Sequence, residues 1–432
     1  MKIKKYNRYK DSGVEWLGEI PEHWEINRLK NIGDVRYGLG QPPREKINGL
    51  PIIRATNVSR GKVTPSKMLF VDPEDIPYER KPILKTGDII VVRSGAYTGD
   101  SAIIPKEYDG AVTGYDMVFS PKKVFPKFIA YSILSDYIYR DQLILTSLRA
   151  AQPHLNKEEL NSTLAIIPPQ KEQTQIANYL DAKTTVIDKK IRLLKQKIKH
   201  YKAYQKTLIN KTVTKGLENN ISHWVSFRLK DIGYLYSGLS GKNSNDFNQD
   251  DNLKNKGFIP FTNIANNTYL NQNHLDTVVI EENESQNQVK QNDIFFLMSS
   301  EGYDDIGKSA VLKEDIKETY LNSFCKGFRI TNKNCEASFV NYLLLSNSYR
   351  QKMLVEGKGF TRINLKMEKV NNFSVLIPPT KKEQQQIASY LDTKTTTIDN
   401  IVHNIETQIA TLKELRKTLI NDVVTGKVKV SA

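Results

Sequence analysis

Gly302-Tyr303-Asp304-Asp305-Ile306-Gly307-Lys308-Ser309 fits the spacing G-x-x-x-x-G-K-[ST] and comes after an apolar strand signal. In a nucleotide-binding loop of that spacing, backbone amides cradle phosphate, the lysine reaches the phosphates and the hydroxyl holds magnesium. Lys308 and Ser309 would then be the working residues of an NTPase. Three features argue against it. Asp304 and Asp305 put two negative charges where amides should meet phosphate. Residues Ala310 to Asp315 read as a short strand and turn, where the motif needs a helix. The equivalent segment of an internal repeat, Gly95 to Ser101, is one residue shorter and carries Asp100 in place of lysine. The expectation is a strand-to-strand loop. A second set, Asp75 with Glu79-Arg80-Lys81, is faintly like the metal site of a nuclease. Three intervening residues are few for carboxylates that must converge on one ion, and Pro73, Pro77 and Pro82 make the segment a loop. The six histidines show no metal-ligand spacing, and His23 and His223 stand beside tryptophans, which reads as packing. Cys325 and Cys335, with nine residues between them, suit neither a zinc pair nor a secreted disulfide scaffold.

The elements that would position such residues come in two copies. His23-Trp24, Arg28-Leu29-Lys30, Ile32-Gly33 and Gly38-Leu39 return as His223-Trp224, Arg228-Leu229-Lys230, Ile232-Gly233 and Gly238-Leu239. Ile167-Pro168-Pro169, Tyr179-Leu180-Asp181, Lys183-Thr184-Thr185 and Ile187-Asp188 return as Ile377-Pro378-Pro379, Tyr390-Leu391-Asp392, Lys394-Thr395-Thr396 and Ile398-Asp399. The offset drifts from 200 to 211, so the second copy carries net insertions. A chain with so many ordered matches is two copies of one unit.

Each copy has a globular part and a helix. The globular part mixes strands and short helices. Asp88 to Val92 and Asp293 to Leu297 read as matched strands, each leading into a polar, glycine-containing loop. Phe128 to Leu134 and Phe339 to Leu345 read as matched helices. After the Pro-Pro pair, Glu172 falls in the first turn of a helix, where the dipole favours it. An apolar seam then steps by three and four through Ala177, Leu180, Thr184, Ile187, Ile191, Leu194, Ile198, Tyr201, Gln205 and Leu208. The second copy has the same seam through Ala388, Leu391, Thr395, Ile398, Val402, Ile405, Ile409, Leu412, Arg416 and Leu419. Such steps are a heptad seam. About 43 residues at 1.5 Å each make a rod of roughly 65 Å. The two seams are expected to pack on each other, antiparallel. The fold class expected is α+β: two similar mixed α/β domains joined by two long antiparallel coiled-coil-like helices, an internal duplication with a pseudo-twofold. The boundaries expected are a first domain over 1–166, a helix over 167–216, a second domain over 217–376 and a helix over 377–432.

Two similar but non-identical globular parts on a rigid spacer suit the reading of two short elements on one long ligand. In this layout the chain resembles the specificity subunit of a Type I restriction-modification system. The tract DSGVEWLGEIPEHW (11–24) and the paired signatures IPPQKEQTQIANYLD (167–181) and IPPTKKEQQQIASYLD (377–392) carry the resemblance, together with the two globular-plus-helix units. It covers essentially the whole chain. The resemblance implies that each globular part is a target recognition domain reading one half of a bipartite site on double-stranded DNA. It implies that the helices set the spacing and dock two methyltransferase subunits, and through them the motor-nuclease subunits. It also implies a chain with no catalysis and no cofactor of its own, in a complex that uses S-adenosylmethionine for adenine-N6 methylation, and ATP and Mg. No Asn/Asp-Pro-Pro-Tyr/Phe motif of amino-methyltransferases is present, and Ile-Pro-Pro is a helix lead-in.

Base and phosphate contacts favour Arg, Lys, Asn, Gln and hydroxyl residues, and loops at matched repeat positions are the best places for them. In the first domain these are Arg54, Thr56, Asn57, Arg93, Ser94, Tyr97, Arg149, Gln152 and His154. In the second they are Thr262, Asn263, Ser299, Ser300, Tyr303, Lys308, Arg362 and Asn364. Thr56-Asn57 and Thr262-Asn263 are repeat mates, as are His154 and Asn364.

Composition agrees with a polyanionic partner. The 432 residues include 63 Lys and Arg against 48 Asp and Glu, a net charge of +15. Most of the surplus is one helix: residues 183–215 hold eleven Lys or Arg and the single acid Asp188, whereas 394–426 hold four of each sign. Lys195, Lys199 and Lys202 mark that basic face. The two cysteines and the absence of an apolar stretch behind the basic N-terminus point to a cytoplasmic protein. No run approaches the roughly 20 apolar residues of a membrane span.

Overall fold

The computed structural model describes residues 4–148, 153–249, 252–359 and 361–430; the candidates Arg149 and Gln152 fall outside them. The chain divides into two compact units, Met1–Leu194 with Glu406–Ala432, and Lys195–Ile405. No helix among the described residues is long and apolar enough to cross a membrane.

Both units build the same scaffold. In the first, a four-stranded antiparallel sheet runs in the order Ser101–Ile103, Ile89–Val91, Met117–Pro121, Gly33–Tyr37. Beside it, Val112–Thr113 runs parallel to Glu45–Ile53, which pairs antiparallel with Leu69–Val71. In the second, the order Ser309–Val311, Ile294–Leu297, Cys325–Ile330, Gly233–Ser237 and the trio Thr319–Leu321, Asn255–Ile259, Asp276–Val279 repeat both sheets strand for strand. The central strands Ile89–Val91 and Ile294–Leu297 are buried at every position, as their unbroken apolar runs require. Apolar helices, Pro126–Ile133 and Ala337–Leu345, cover one face.

The duplicated sheets keep one buried ion pair but move its cation. Asp88 accepts from Arg36 Nη2 at 2.9 Å and from Ser120 Oγ at 2.6 Å. Asp293 accepts from Arg329 Nε at 2.9 Å and Nη2 at 2.6 Å, and from the Tyr236 hydroxyl at 2.6 Å. Strand register makes Arg36 equivalent to Tyr236 and Ser120 equivalent to Arg329. The arginine has thus crossed to the neighbouring strand while the buried carboxylate kept its two partners.

The long helices run over Gln170–Lys215 and Lys381–Val424. Their seam positions are buried or half-buried throughout, while most positions between them are exposed. Within the first unit, Ile176 and Leu180 share a core with Ile420 and Val424, and Arg416 Nε meets Asp188 at 3.2 Å. Within the second, Val213 shares a core with Ile387 and Leu391, and Gln205 Nε2 donates to Asp399 at 2.9 Å. Both sets of pairings are antiparallel. Left-handed glycines end the two helices, Gly216 at φ 69 and Gly426 at φ 75. A side chain at Gly426 would collide with Pro21.

The paired helix signatures turn out to be docking contacts. Glu172 accepts from His23 Nε2 at 2.6 Å, the Trp24 indole N–H at 3.2 Å and the Tyr6 hydroxyl at 3.0 Å. Glu383 does the same for His223 at 2.9 Å and Trp224 at 3.0 Å. The next residue, buried Gln173 or Gln384, accepts a backbone N–H from the segment before the apolar helix (Phe125 at 2.7 Å, Glu336 at 2.8 Å). Its amide donates to the carbonyl of Pro168 or Pro378. Two turns on, Asp181 accepts from Tyr131 at 2.7 Å, and Asp392 from Tyr342 at 2.8 Å and Tyr269 at 2.6 Å.

The Gly302–Ser309 segment is no phosphate loop. Ser309 opens the strand Ser309–Val311, not a helix, and its hydroxyl donates to buried Asn341 at 2.6 Å.

The relocated arginine makes a stability prediction. Arg36→Tyr leaves Asp88 buried without its cation, which costs about 3–5 kcal/mol. Adding Ser120→Arg, the arrangement of the second unit, should recover most of the loss in thermal unfolding. A double variant no more stable than the single one would show that the two networks are not interchangeable.

Candidate nucleic-acid interface

The sheets end in loops, and in each unit two of these loops are stitched together by backbone bonds. After the central strand of the first unit, Ser94 forms an antiparallel bridge with His154, and the Leu155 N–H donates to the Arg93 carbonyl at 2.7 Å. In the second, Ser299 and Ser300 pair with Asn364 and Ile363, and the Leu365 N–H donates to the Met298 carbonyl at 2.8 Å. The serines and the His/Asn position matched by sequence are therefore spatial partners within each unit. A loop tied at both strands is pre-organised, which suits recognition of a shaped surface.

Several candidates sit on this rim. Thr56 and Tyr97 are exposed in the first unit; Tyr303, Arg362 and Asn364 are exposed in the second, and Thr262 is exposed on a neighbouring turn. Arg54 lines a cleft with Leu39, Ser94 and Asp116, and its Nη2 donates to the Lys67 carbonyl at 2.9 Å. Arg93 donates from Nη2 to His154 Nε2 at 3.0 Å. Lys195, Lys199 and Lys202 are exposed on the first long helix.

Three candidates are corrected. Asn57 is fully buried; its Nδ2 donates to the carbonyls of Thr64 and Ser66 and its Oδ1 accepts the Arg54 N–H. Asn263 is also fully buried, with Nδ2 on the Asn271 and His274 carbonyls and Oδ1 on the Asn271 N–H. Both amides organise their own turns and have no donor left for a ligand. Ser300 is buried, and its Oγ accepts the Gly302 N–H. Lys308 keeps its charge compensated by Asp305 at 2.6 Å.

Sequence reasoning missed the aromatics that share this rim. Arg93 lies over the rings of Tyr37 at 4.6 Å and Tyr115 at 4.5 Å. Arg362 lies over Phe324 at 4.7 Å. Tyr115 and Phe324 precede equivalent strands and are 45% and 47% exposed. The signal available was an aromatic at the same repeat position in a turn. Beneath Arg93, Asp116 is buried, and desolvation pushes its carboxyl up to about 6 although the Arg93 N–H bonds to it. The rim can thus offer planar cations, stacking faces and hydroxyls, the groups that read nucleic acid.

Comparison with known proteins also finds one unit twice in the chain. The model of the Type I restriction modification DNA specificity domain matches residues 21–200 and again 221–411. The type I restriction enzyme MjaVIII specificity subunit of Methanocaldococcus jannaschii is 25% identical over 205 residues, 46% of this chain and 47% of that one. The chain spans about half the length of the Methanocaldococcus relatives it matches. The type I restriction enzyme StySPI specificity subunit of Salmonella potsdam is 23% identical over 425 residues, 92% of this chain and 88% of that one. A chain from a structure describing complex assembly and conformational transition of the type I R-M system superposes with a TM-score of 0.73 at 17% identity, covering 95% of this chain and 99% of that one. The HsdS subunit from Thermoanaerobacter tengcongensis gives 0.52 at 17% identity, covering 95% and 98%. At these identities the structural likeness shows the fold.

Asp116 makes a pH prediction. An acid whose value is raised by folding holds its proton more tightly in the folded state, so its burial costs stability as pH rises from about 4 through about 6. Asp116→Asn carries no charge at any pH. It should melt at a higher temperature than wild type at pH 7.5, with the gap closing toward pH 4. A gap that does not change with pH would show that the carboxyl titrates normally.

Proposed function

The chain belongs to the Type I restriction modification DNA specificity domain family, matched twice over its length, and from that premise we propose that it is the DNA specificity subunit of a Type I restriction-modification complex. One observation carries this reading. The two units share a scaffold strand for strand, down to the stitched loop pair, yet differ in the side chains on the rim. One docking mode with two readouts is what a bipartite, asymmetric site requires. Residues 1–166 and 217–376 are the two target recognition domains, and 167–216 and 377–432 the spacer helices.

The same reading supplies the partners. Double-stranded DNA is bound by the rims. Two methyltransferase subunits dock on the helices and bring the motor-nuclease subunits. S-adenosylmethionine, ATP and Mg serve those partners, and this chain contributes recognition without chemistry of its own. Its place is the cytoplasm, with the DNA it reads. The basic face of the first helix supports a phosphate-tracking role. None of Lys195, Lys199 and Lys202 makes an ion pair among the described residues.

Two measurements check this reading. In cells carrying the full complex, mapped methyl-adenines should define a two-part motif. Exchanging residues 1–166 for another such domain should change one part and spare the other; a change in both parts would refute independent readout. Separately, binding of the complex to its site should weaken steeply with salt. Changing Lys195, Lys199 and Lys202 to Gln should flatten the log–log slope by about 2 to 3 if each meets a phosphate, at about 0.9 per contact. An unaltered slope would assign this face to a partner subunit.

A further inference from the structure

The stacked arginines deepen the proposed function, on which this inference rests. Each unit holds one guanidinium against an exposed ring at the same place in the fold. In the first it is Arg93 over Tyr115, with Tyr37 as a second ring. In the second it is Arg362 over Phe324. The rings are repeat mates, but the arginines are not. Arg93 is equivalent to Met298, which is buried, and the arginine of the second unit comes from the opposite partner of the stitched loop pair, just before Ile363–Asn364. The buried Asp–Arg pair shows that this chain can move an arginine between adjacent strands while keeping its place in space. At the rim it has done so again, and here no core requires it.

The side chains are poised for a ligand. Arg93 makes no ion pair among the described residues; its Nη2 bonds to His154 Nε2, and its Nε is buried without a partner. Arg362 is exposed, and its one ionic neighbour among the described residues is Glu301 at 3.8 Å, on a side chain 85% exposed. A guanidinium laid on a ring has its face covered and its plane fixed, so that only the N–H groups along its edge remain to donate. Two parallel donors in one plane match two acceptors on a planar edge. In duplex DNA those are O6 and N7 of guanine in the major groove, or two oxygens of a phosphate. A phosphate needs no fixed plane, whereas a base edge does, and the stacking supplies that plane before binding.

We infer that Arg93 and Arg362 are specificity-determining residues, each reading one guanine, in opposite halves of the bipartite site. Tyr115 and Phe324 are positioning residues that hold the guanidinium plane.

The test uses the complete complex and a pool of random duplexes, with bound sequences read after selection. Wild type should enrich a two-part motif with a fixed G·C pair in each half. Arg93→Gln should lose the preference at one G·C pair of one half only, with binding to the wild-type site reduced on the order of 10- to 100-fold. Arg362→Gln should do the same in the other half only. Tyr115→Leu keeps the arginine and should blur the same base pair as Arg93→Gln, which a general folding defect would not do. A uniform loss of affinity with the motif intact would assign the arginines to phosphate and overturn the inference. A wild-type motif unchanged in both arginine variants would overturn it as well. Failure of wild type to enrich any bipartite motif would instead sink the specificity-subunit reading, and this inference with it.

Discussion

The glutamate in the first turn of each long helix is the contact on which the rest of the structure depends. Glu172 and Glu383 gather a histidine and a tryptophan indole from the start of the globular part onto the helix N-terminus. A carboxylate is favoured there by the helix dipole, and the bonds are partly shielded from water. The adjacent glutamine and the aspartate two turns on add contacts to other elements of the same globular part. Three attachment points spread along and around the first turns of one helix define an orientation, where a hydrophobic seam alone would permit sliding and rotation.

The scaffold above these contacts tolerates exchange as long as each buried group stays satisfied. Asp88 and Asp293 are held by an arginine and a hydroxyl in both units, though the arginine comes from different strands. An unpaired buried carboxylate is expensive, so the pair persists; its geometry is indifferent to which strand supplies the cation. The rim obeys a looser rule. Backbone bonding of the stitched loops is kept, while the exposed side chains differ, because no packing constraint acts on them. This combination of a fixed frame and free edges lets one fold carry different side chains on its rim.

Much of this is legible in the sequence. The duplication, the matched strands, the two helices and the seam through Leu180, Ile187, Leu391 and Ile398 all rest on periodicity and self-similarity, which are local properties of the chain. That Gly302–Ser309 is no phosphate loop is legible in the strand-like residues directly behind Ser309, again a local matter. The candidate site is less legible. Asn57 and Asn263 look like contact residues because they are polar and stand in loops at matched positions, but the same pattern arises when an asparagine ties its own turn. His23 and His223 look like packing residues beside their tryptophans, yet their bonds go to a glutamate about 150 residues away.

The sequence by itself determined that one unit occurs twice and which helix face is apolar. Spacing along one chain carries that information. Only the tertiary structure decided what the signature residues do and which polar groups remain free. A hydrogen bond between Trp24 and Glu172, or a ring under Arg93, joins positions with no regular separation in sequence. Whether an amide or a guanidinium has donors to spare depends on every neighbour it meets after folding, and periodicity holds no record of that.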